Sequence, residues 1–223
     1  MEKISRYLDH AVLKPTMTKQ EAREAIELGV QYDVKTVCVR PCDIDMALEI
    51  CKGTNTGVSC VMDFPHGCGC AETKAALAKL YASKGVCEID MVMNYGYARG
   101  GDWDEVEKGI RAAVEAARPV PVKVIFETCE LDTATIEKGT KVCIAAGAAF
   151  VKTSTGFAAK GASEEAVAAM LRAAEGKIKV KASGGIRNYE TAKMYVDMGC
   201  QRLGVGSGST KAICDGGESK ENY

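Results

Sequence analysis

The sequence predicts an α/β fold, a (β/α)8 barrel of the TIM type, from three observations. Short β-rich runs alternate with helical patterns from one end of the chain to the other. Eight strands alternating with about eight helices favour a closed barrel over an open doubly wound sheet. No Pro/Gly/Ser-rich linker divides the chain, and 223 residues suffice for one large core. A single barrel domain is therefore expected over residues 1–214, followed by a flexible tail over 215–223, "DGGESKENY".

The strands are expected near residues 7–13, 36–40, 58–64, 86–93, 122–127, 148–153, 178–182 and 202–205. Thr18 and Glu21 have the spacing of a capping box, Ala22, Ala25 and Ile26 repeat at helical spacing, and Gly29 reads as the helix stop. Asp102 precedes a helix whose Val106, Ile110 and Val114 recur every four residues. Asp132 and Gly147 bracket a further helix, and Asn188 and Gly199 another. A short helical stretch over 209–214 precedes the tail.

Composition narrows the function classes. The formal net charge of -1 gives no field that would recruit nucleic acid or an anionic membrane, so a small phosphorylated metabolite is the more natural anion. The charged start "MEKISRYLDH" lacks the apolar centre of a signal peptide, and the longest apolar run, residues 143–151, is too short to cross a bilayer. Eleven cysteines, an odd number, suggest reduced thiols and a cytoplasmic location rather than a disulfide framework.

In such a barrel the loops at the carboxyl ends of the strands build the active site. That rule gathers Asp9, Cys38, Asp90, Asn94, Glu127, Lys152 and Lys181. A lysine attacks a carbonyl only as the neutral amine, and at pH 7 an ordinary lysine is neutral in about one molecule in two thousand. A nearby cation together with burial raises that fraction. Bringing the pKa to about 7 takes roughly 4–5 kcal/mol of differential interaction, which a barrel mouth can supply and an open surface cannot. Lys152 or Lys181 is therefore a candidate Schiff-base nucleophile, with the other tuning it and Asp90 handling protons. The competing reading is two solvated or ion-paired lysines. Alternation does not single out Lys181, because Lys177 and Lys179 share its side of the strand.

Two glycine-rich loops, "SGGIR" (183–187) and "GVGSGS" (204–209), follow the seventh and eighth strands. Loops at those positions bind phosphate through exposed backbone N–H groups and a helix N-terminus. "TGF" (155–157) after the sixth strand offers a third wall.

At these residues the chain closely resembles the deoxyribose-phosphate aldolase family of class I aldolases. The resemblance runs in order through "LDHAVLKP" (8–15), "VCV" (37–39), "DFPHG" (63–67), "EIDMVMN" (88–94), "VKVIFET" (122–128), "VKTSTGF" (151–157), "VKASGGIR" (180–187) and "RLG" (202–204). It implies that Lys152 forms the Schiff base, that Lys181 is its paired lysine and that Asp90 takes part in proton transfer. It also implies that Asp9 and Cys38 line the site, and that Thr155, Gly156, Gly184, Gly185, Gly204 and Ser207 bind the phosphorylated substrate. Some members end in a tyrosine whose phenol is implicated in proton transfer at the enamine carbon, which makes Tyr223 a candidate proton shuttle. The implied reaction is reversible cleavage of 2-deoxy-D-ribose 5-phosphate into D-glyceraldehyde 3-phosphate and acetaldehyde in deoxyribonucleoside catabolism, without cofactor or metal. A homodimer is expected on the same resemblance. Two positions depart from the family pattern: Gly206 stands where many members carry a hydroxyl, and Phe157 where some carry a lysine that Lys160 would have to replace.

The rivals are another Schiff-base barrel aldolase acting on a different sugar phosphate, and a non-catalytic phosphate-binding barrel. Cys68 and Cys70 beside His66 lack the usual zinc spacing and read as small residues of a tight loop. Trp103 reads as a packing anchor, Cys38 as a buried small hydrophobe, and Lys123 and Glu127 as a pair inside the barrel.

Overall fold

A computed structural model describes residues 3–219. Its strands are β1 (Leu8–Val12), β2 (Thr36–Val39), β3 (Gly57–Met62), β4 (Glu88–Val92), β5 (Val122–Ile125), β6 (Phe150–Lys152), β7 (Lys179–Ser183) and β8 (Arg202–Gly206). All neighbours are parallel and β8 pairs back to β1, so the sheet closes as expected. The helices are α1 (Lys19–Gln31), α2 (Ile44–Cys51), α3 (Ala71–Lys84), α4 (Tyr95–Gly100), α5 (Trp103–Ala117), α6 (Thr133–Ala145), α7 (Glu164–Ala174), α8 (Tyr189–Met198) and α9 (Ser207–Asp215).

Strand alternation divides the side chains into two sets. Leu8, Val37, Val39, Ile89, Met91, Val122, Val124, Val151, Val180, Leu203 and Val205 belong to the large core formed with the helices. Facing the axis are mostly polar groups, with a small apolar patch of Ala11, Leu13, Cys38 and Val61. Burial of the outer set holds the barrel together; at about 25 cal/mol per Å² of apolar surface, each such side chain contributes about 1.5–3 kcal/mol.

Several local readings hold. Thr18 and Glu21 make the reciprocal capping box, and Asp132 and Asn188 accept the backbone N–H groups of Thr135 and Thr191 at 2.8 Å. Others are corrected. Helix α1 continues past Gly29 to Gln31; a Cβ at Gly29 would lie 2.7 Å from Val37 Cγ1, so this glycine permits close helix–strand packing rather than ending the helix. Asp102 precedes α5, but its side chain makes no capping hydrogen bond. Strand β5 stops before residue 127, because Glu127 adopts a left-handed φ of 56°. The expected tail is tied down at its start: Glu218 bridges antiparallel to Asn188, and the Ser219 N–H donates to the Arg187 carbonyl at 3.0 Å.

Candidate active site

The axis holds a closed network of buried charges. Lys152, the last residue of β6, sits in register with Lys181 of β7, and Asp90 of β4 with Lys123 of β5. Lys152 Nζ and Lys181 Nζ donate to the same oxygen, Asp90 Oδ2, at 2.8 and 2.7 Å. Lys181 Nζ also reaches Asp9 Oδ2. Lys123 Nζ donates to Asp90 Oδ1 and Asp9 Oδ2 at 2.9 Å each, and stands 2.5 Å from Glu88 Oε2. Asp9 Oδ1 accepts from Thr36 Oγ1 at 2.9 Å and lies 3.5 Å from Arg202 Nε. The expected neighbours Asp9, Asp90, Lys152 and Lys181 are thus brought together, each almost completely excluded from water.

These contacts rank the lysines. Among the described residues Lys123 touches three carboxylates, Lys181 two and Lys152 one. Burial lowers the pKa of all three, but Asp9 and Asp90 reverse that effect at Lys181, and with Glu88 they drive Lys123 well above the ordinary range. For Lys152, burial outweighs Asp90, and the Lys181 ammonium adds to the depression. Lys152 is the one member of the trio biased toward the neutral amine. Burial pushes the carboxyls upward, yet the lysines more than offset it: Asp9 falls to about 2 and Asp90 well below the usual carboxylate range. Burial raises the Cys38 thiol, which favours the protonated form.

Beside this network opens a cavity lined by Ala11, Leu13, Lys14, residues 185–187, Gly204 and residues 206–209. It combines the two predicted glycine loops with the N-terminus of α9, where Ser207 is the first helical residue. Gly204 connects cavity and charge layer: a Cβ there would collide with Ser183 Oγ and lie 3.2 Å from Lys181 Cε. Gly156 packs near Gly184, the residue before the cavity lining: its Cα is 3.5 Å from where a Cβ on Gly184 would stand.

The remaining candidates lie around this centre or outside the described residues. Thr155 is buried, and its hydroxyl bonds Glu127 and accepts the Phe157 N–H at 3.0 Å, so it fixes the β6 loop. Glu127 therefore faces Thr155, and the expected Lys123–Glu127 pair is absent among the described contacts. Asn94 accepts the Tyr97 N–H at 3.0 Å as the cap of α4. Lys177 and Lys179 are exposed, and Lys179 is the first residue of β7, two before Lys181. The Phe157 ring meets Phe64 edge-on at 5.3 Å, and Lys160 is exposed beside Cys129. Cys68 and Cys70 bond the His66 carbonyl and the Thr73 hydroxyl. Tyr223 lies outside the described residues.

Sequence reasoning missed Lys14 and Arg187, the charged residues among those lining the cavity. Arg40 braces the loop that carries Lys14: Nη1 donates to the Lys14 and Met17 carbonyls at 3.0 Å while Nε pairs with Asp43 at 2.6 Å. The basic residue in "LKP" was a visible signal, but its nearness to loops seven and eight depends on barrel closure.

Comparison with known proteins agrees with this geometry. The family model for DeoC/LacD family aldolases matches residues 4–214. The chain is 40% identical over 221 residues to a deoxyribose-phosphate aldolase of Streptococcus sanguinis, covering 99% of this chain and 100% of that protein. A solved aldolase, QR15, superposes with a TM-score of 0.90 at 35% identity, covering 96% of each chain. A tetrameric deoxyribose phosphate aldolase from Aeropyrum pernix superposes with a TM-score of 0.83 at 26% identity, covering 95% of this chain and 89% of that one. By sequence and by fold, the chain belongs to the DeoC/LacD aldolase family.

Proposed function

We propose that the protein is a class I aldolase that reversibly cleaves 2-deoxy-D-ribose 5-phosphate to D-glyceraldehyde 3-phosphate and acetaldehyde, a reaction of deoxyribonucleoside catabolism. The observation that carries this reading is the inequality within the lysine trio: Lys152 has one carboxylate partner and a depressed pKa, beside two strongly paired ammonium groups. A barrel that only bound phosphate would have no use for an amine in that state. Family membership supports the substrate.

The neutral Lys152 amine attacks the sugar's aldehyde carbon, and loss of water gives an iminium ion. That ion is an electron sink, so the bond between C2 and C3 breaks with its electron pair flowing into an enamine. Asp90 takes the C3 hydroxyl proton and hands it on to the water released in iminium formation; its low pKa makes it a transit point rather than a store. Glyceraldehyde 3-phosphate leaves, the enamine is protonated at carbon, and hydrolysis frees acetaldehyde and Lys152. Tyr223 is the proposed proton donor at carbon. Ser219 lies at the cavity rim, bonded to the Arg187 and Gly208 backbones, and four extended residues reach about 14 Å. Gly156, Gly184, Gly185, Gly204 and Ser207 form the proposed phosphate cradle, with Lys14 and Arg187 supplying charge. The domain division that goes with this reading is one catalytic domain, residues 1–214, followed by the tail.

Homodimerisation belongs to this reading, and the tetrameric Aeropyrum pernix relative supports self-association. The eleven free thiols suit a reducing cytoplasm. No helix among the described residues is long and apolar enough to cross a membrane.

Borohydride reduction with deoxyribose 5-phosphate should leave one covalent adduct, at Lys152, located by peptide mass mapping. An adduct at Lys181 would exchange the two roles, and no adduct would end the Schiff-base reading.

A further inference from the structure

Beneath Lys152 and Lys181 the barrel carries a second charged layer at the amino ends of the strands. Arg202 opens β8 and Glu88 opens β4, and Arg202 Nη2 pairs with Glu88 Oε1 at 3.2 Å. Phe150, which opens β6, has the Lys123, Lys179 and Arg202 cations 5.3–5.7 Å from its ring centre. Arg202 Nε also approaches Asp9, and Lys123 spans the layers by touching Glu88, Asp9 and Asp90. The contacts form a continuous circuit from Arg202 to Lys152.

Among the described residues that circuit holds Lys123, Lys152, Lys181 and Arg202 against Asp9, Glu88 and Asp90, four cations for three carboxylates, while Glu127 faces Lys152 from outside it, held by Thr155 and within ion-pair distance of none of the four. In a medium that screens poorly, a surplus positive charge is disfavoured. Arginine cannot release its proton. Lys123 and Lys181 are each held by more than one carboxylate, so the surplus falls on Lys152.

We propose that Arg202, held by Glu88 at the barrel floor, is a positioning residue for the aldolase reaction, its fixed charge leaving the cluster one proton too rich and so assigning the neutral amine to Lys152. This rests on the class I reading above. Without Arg202, three lysines face three carboxylates and all three can remain protonated. Without Glu88, four cations face two carboxylates and Lys152 is pressed harder to stay neutral. The other groups facing Lys152, namely Asp90 of β4, Lys181 of β7, Cys38 of β2 and Glu127 beyond β5, are unchanged in either case.

The test is the rate of borohydride trapping with acetaldehyde between pH 5 and 10, read by intact mass. Arg202→Met should move the acid limb up by about one pH unit, the scale expected for a unit charge removed one layer away inside a protein, slowing trapping about tenfold at neutral pH. Glu88→Gln should move the limb down, the double variant should return it toward wild type, and Arg202→Lys should leave it in place. An unmoved limb in both single variants, or a loss equal at every pH, would overturn the proposal. If Arg202→Met does not fold, the downward shift in Glu88→Gln decides alone. Failure of the wild type to trap at Lys152 would instead refute the aldolase reading.

Discussion

Replacing Lys181 with leucine removes the ammonium group that shares an Asp90 oxygen with Lys152. Two hydrogen bonds to one oxygen place the nitrogens about 4–5 Å apart. At an effective dielectric constant of about 20, unit charges at that distance repel by about 3–4 kcal/mol, equivalent to about two to three pKa units. Loss of Lys181 also leaves Asp90 freer to hold the Lys152 proton, which acts in the same direction. Asp9 keeps Lys123, Arg202 and Thr36, so no carboxylate is stranded and the fold should persist. The expected result is an imine-forming rate at pH 7 reduced about a hundredfold or more and recovering toward pH 10. Borohydride trapping with acetaldehyde across that range measures it. A rate–pH profile with the wild-type midpoint would refute the argument that repulsion frees the Lys152 amine.

Other outcomes follow from the same structure. Gly206 caps α9 at φ -62° and ψ 147°, which serine adopts without strain, so Gly206→Ser should lower KM for deoxyribose 5-phosphate more than for deoxyribose; equal effects would remove residue 206 from the phosphate cradle. Lys14→Met should raise KM for the phosphorylated sugar about fivefold, corresponding to about 1 kcal/mol for an exposed charge, with deoxyribose unaffected. Removal of Tyr223 should slow deuterium exchange at the acetaldehyde methyl group while trapping at Lys152 continues; exchange at the wild-type rate would exclude the phenol. Because the iminium ion serves as the electrophile, EDTA should leave activity intact, and loss restored by zinc would contradict the mechanism. Burial lowers His10 to about 4 from 6.5, so below pH 6.5 the unfolded chain takes up a proton that the folded chain refuses. Stability should therefore fall by about 3 kcal/mol as pH drops from 6.5 to 4, a component that urea unfolding of His10→Gln should lack.

Much of this molecule was legible because its signals are local. Alternation of strand and helix located all eight strands, and the rule for strand ends gathered Asp9, Asp90, Lys152 and Lys181. The boundaries were less exact, since strands end where the backbone turns; Phe126 reads as strand, but Glu127 ends β5 with a positive φ. That turn also carries Glu127 away from Lys123 and onto Thr155, a partner no spacing rule could supply. The third lysine was visible on the inward face of β5, but its three carboxylates come from β1 and β4. Lys14 joins the glycine loops only because β1 closes against β8.

The seam between β1 and β8 also orders events during synthesis. Lys181 follows its partner Asp9 by 172 residues, and His10 bonds Thr210 at 2.8 Å across the same junction from 200 residues away. At about 5–20 residues per second, a ribosome delivers Lys181 about 10–35 s after Asp9. Throughout that interval the ring cannot close, and a lysine left in water is almost entirely protonated, the form that does not attack a carbonyl. The charge cluster around Lys152 is complete only when β8 brings Arg202 and pairs with β1, so an unfinished chain lacks the environment that frees this amine.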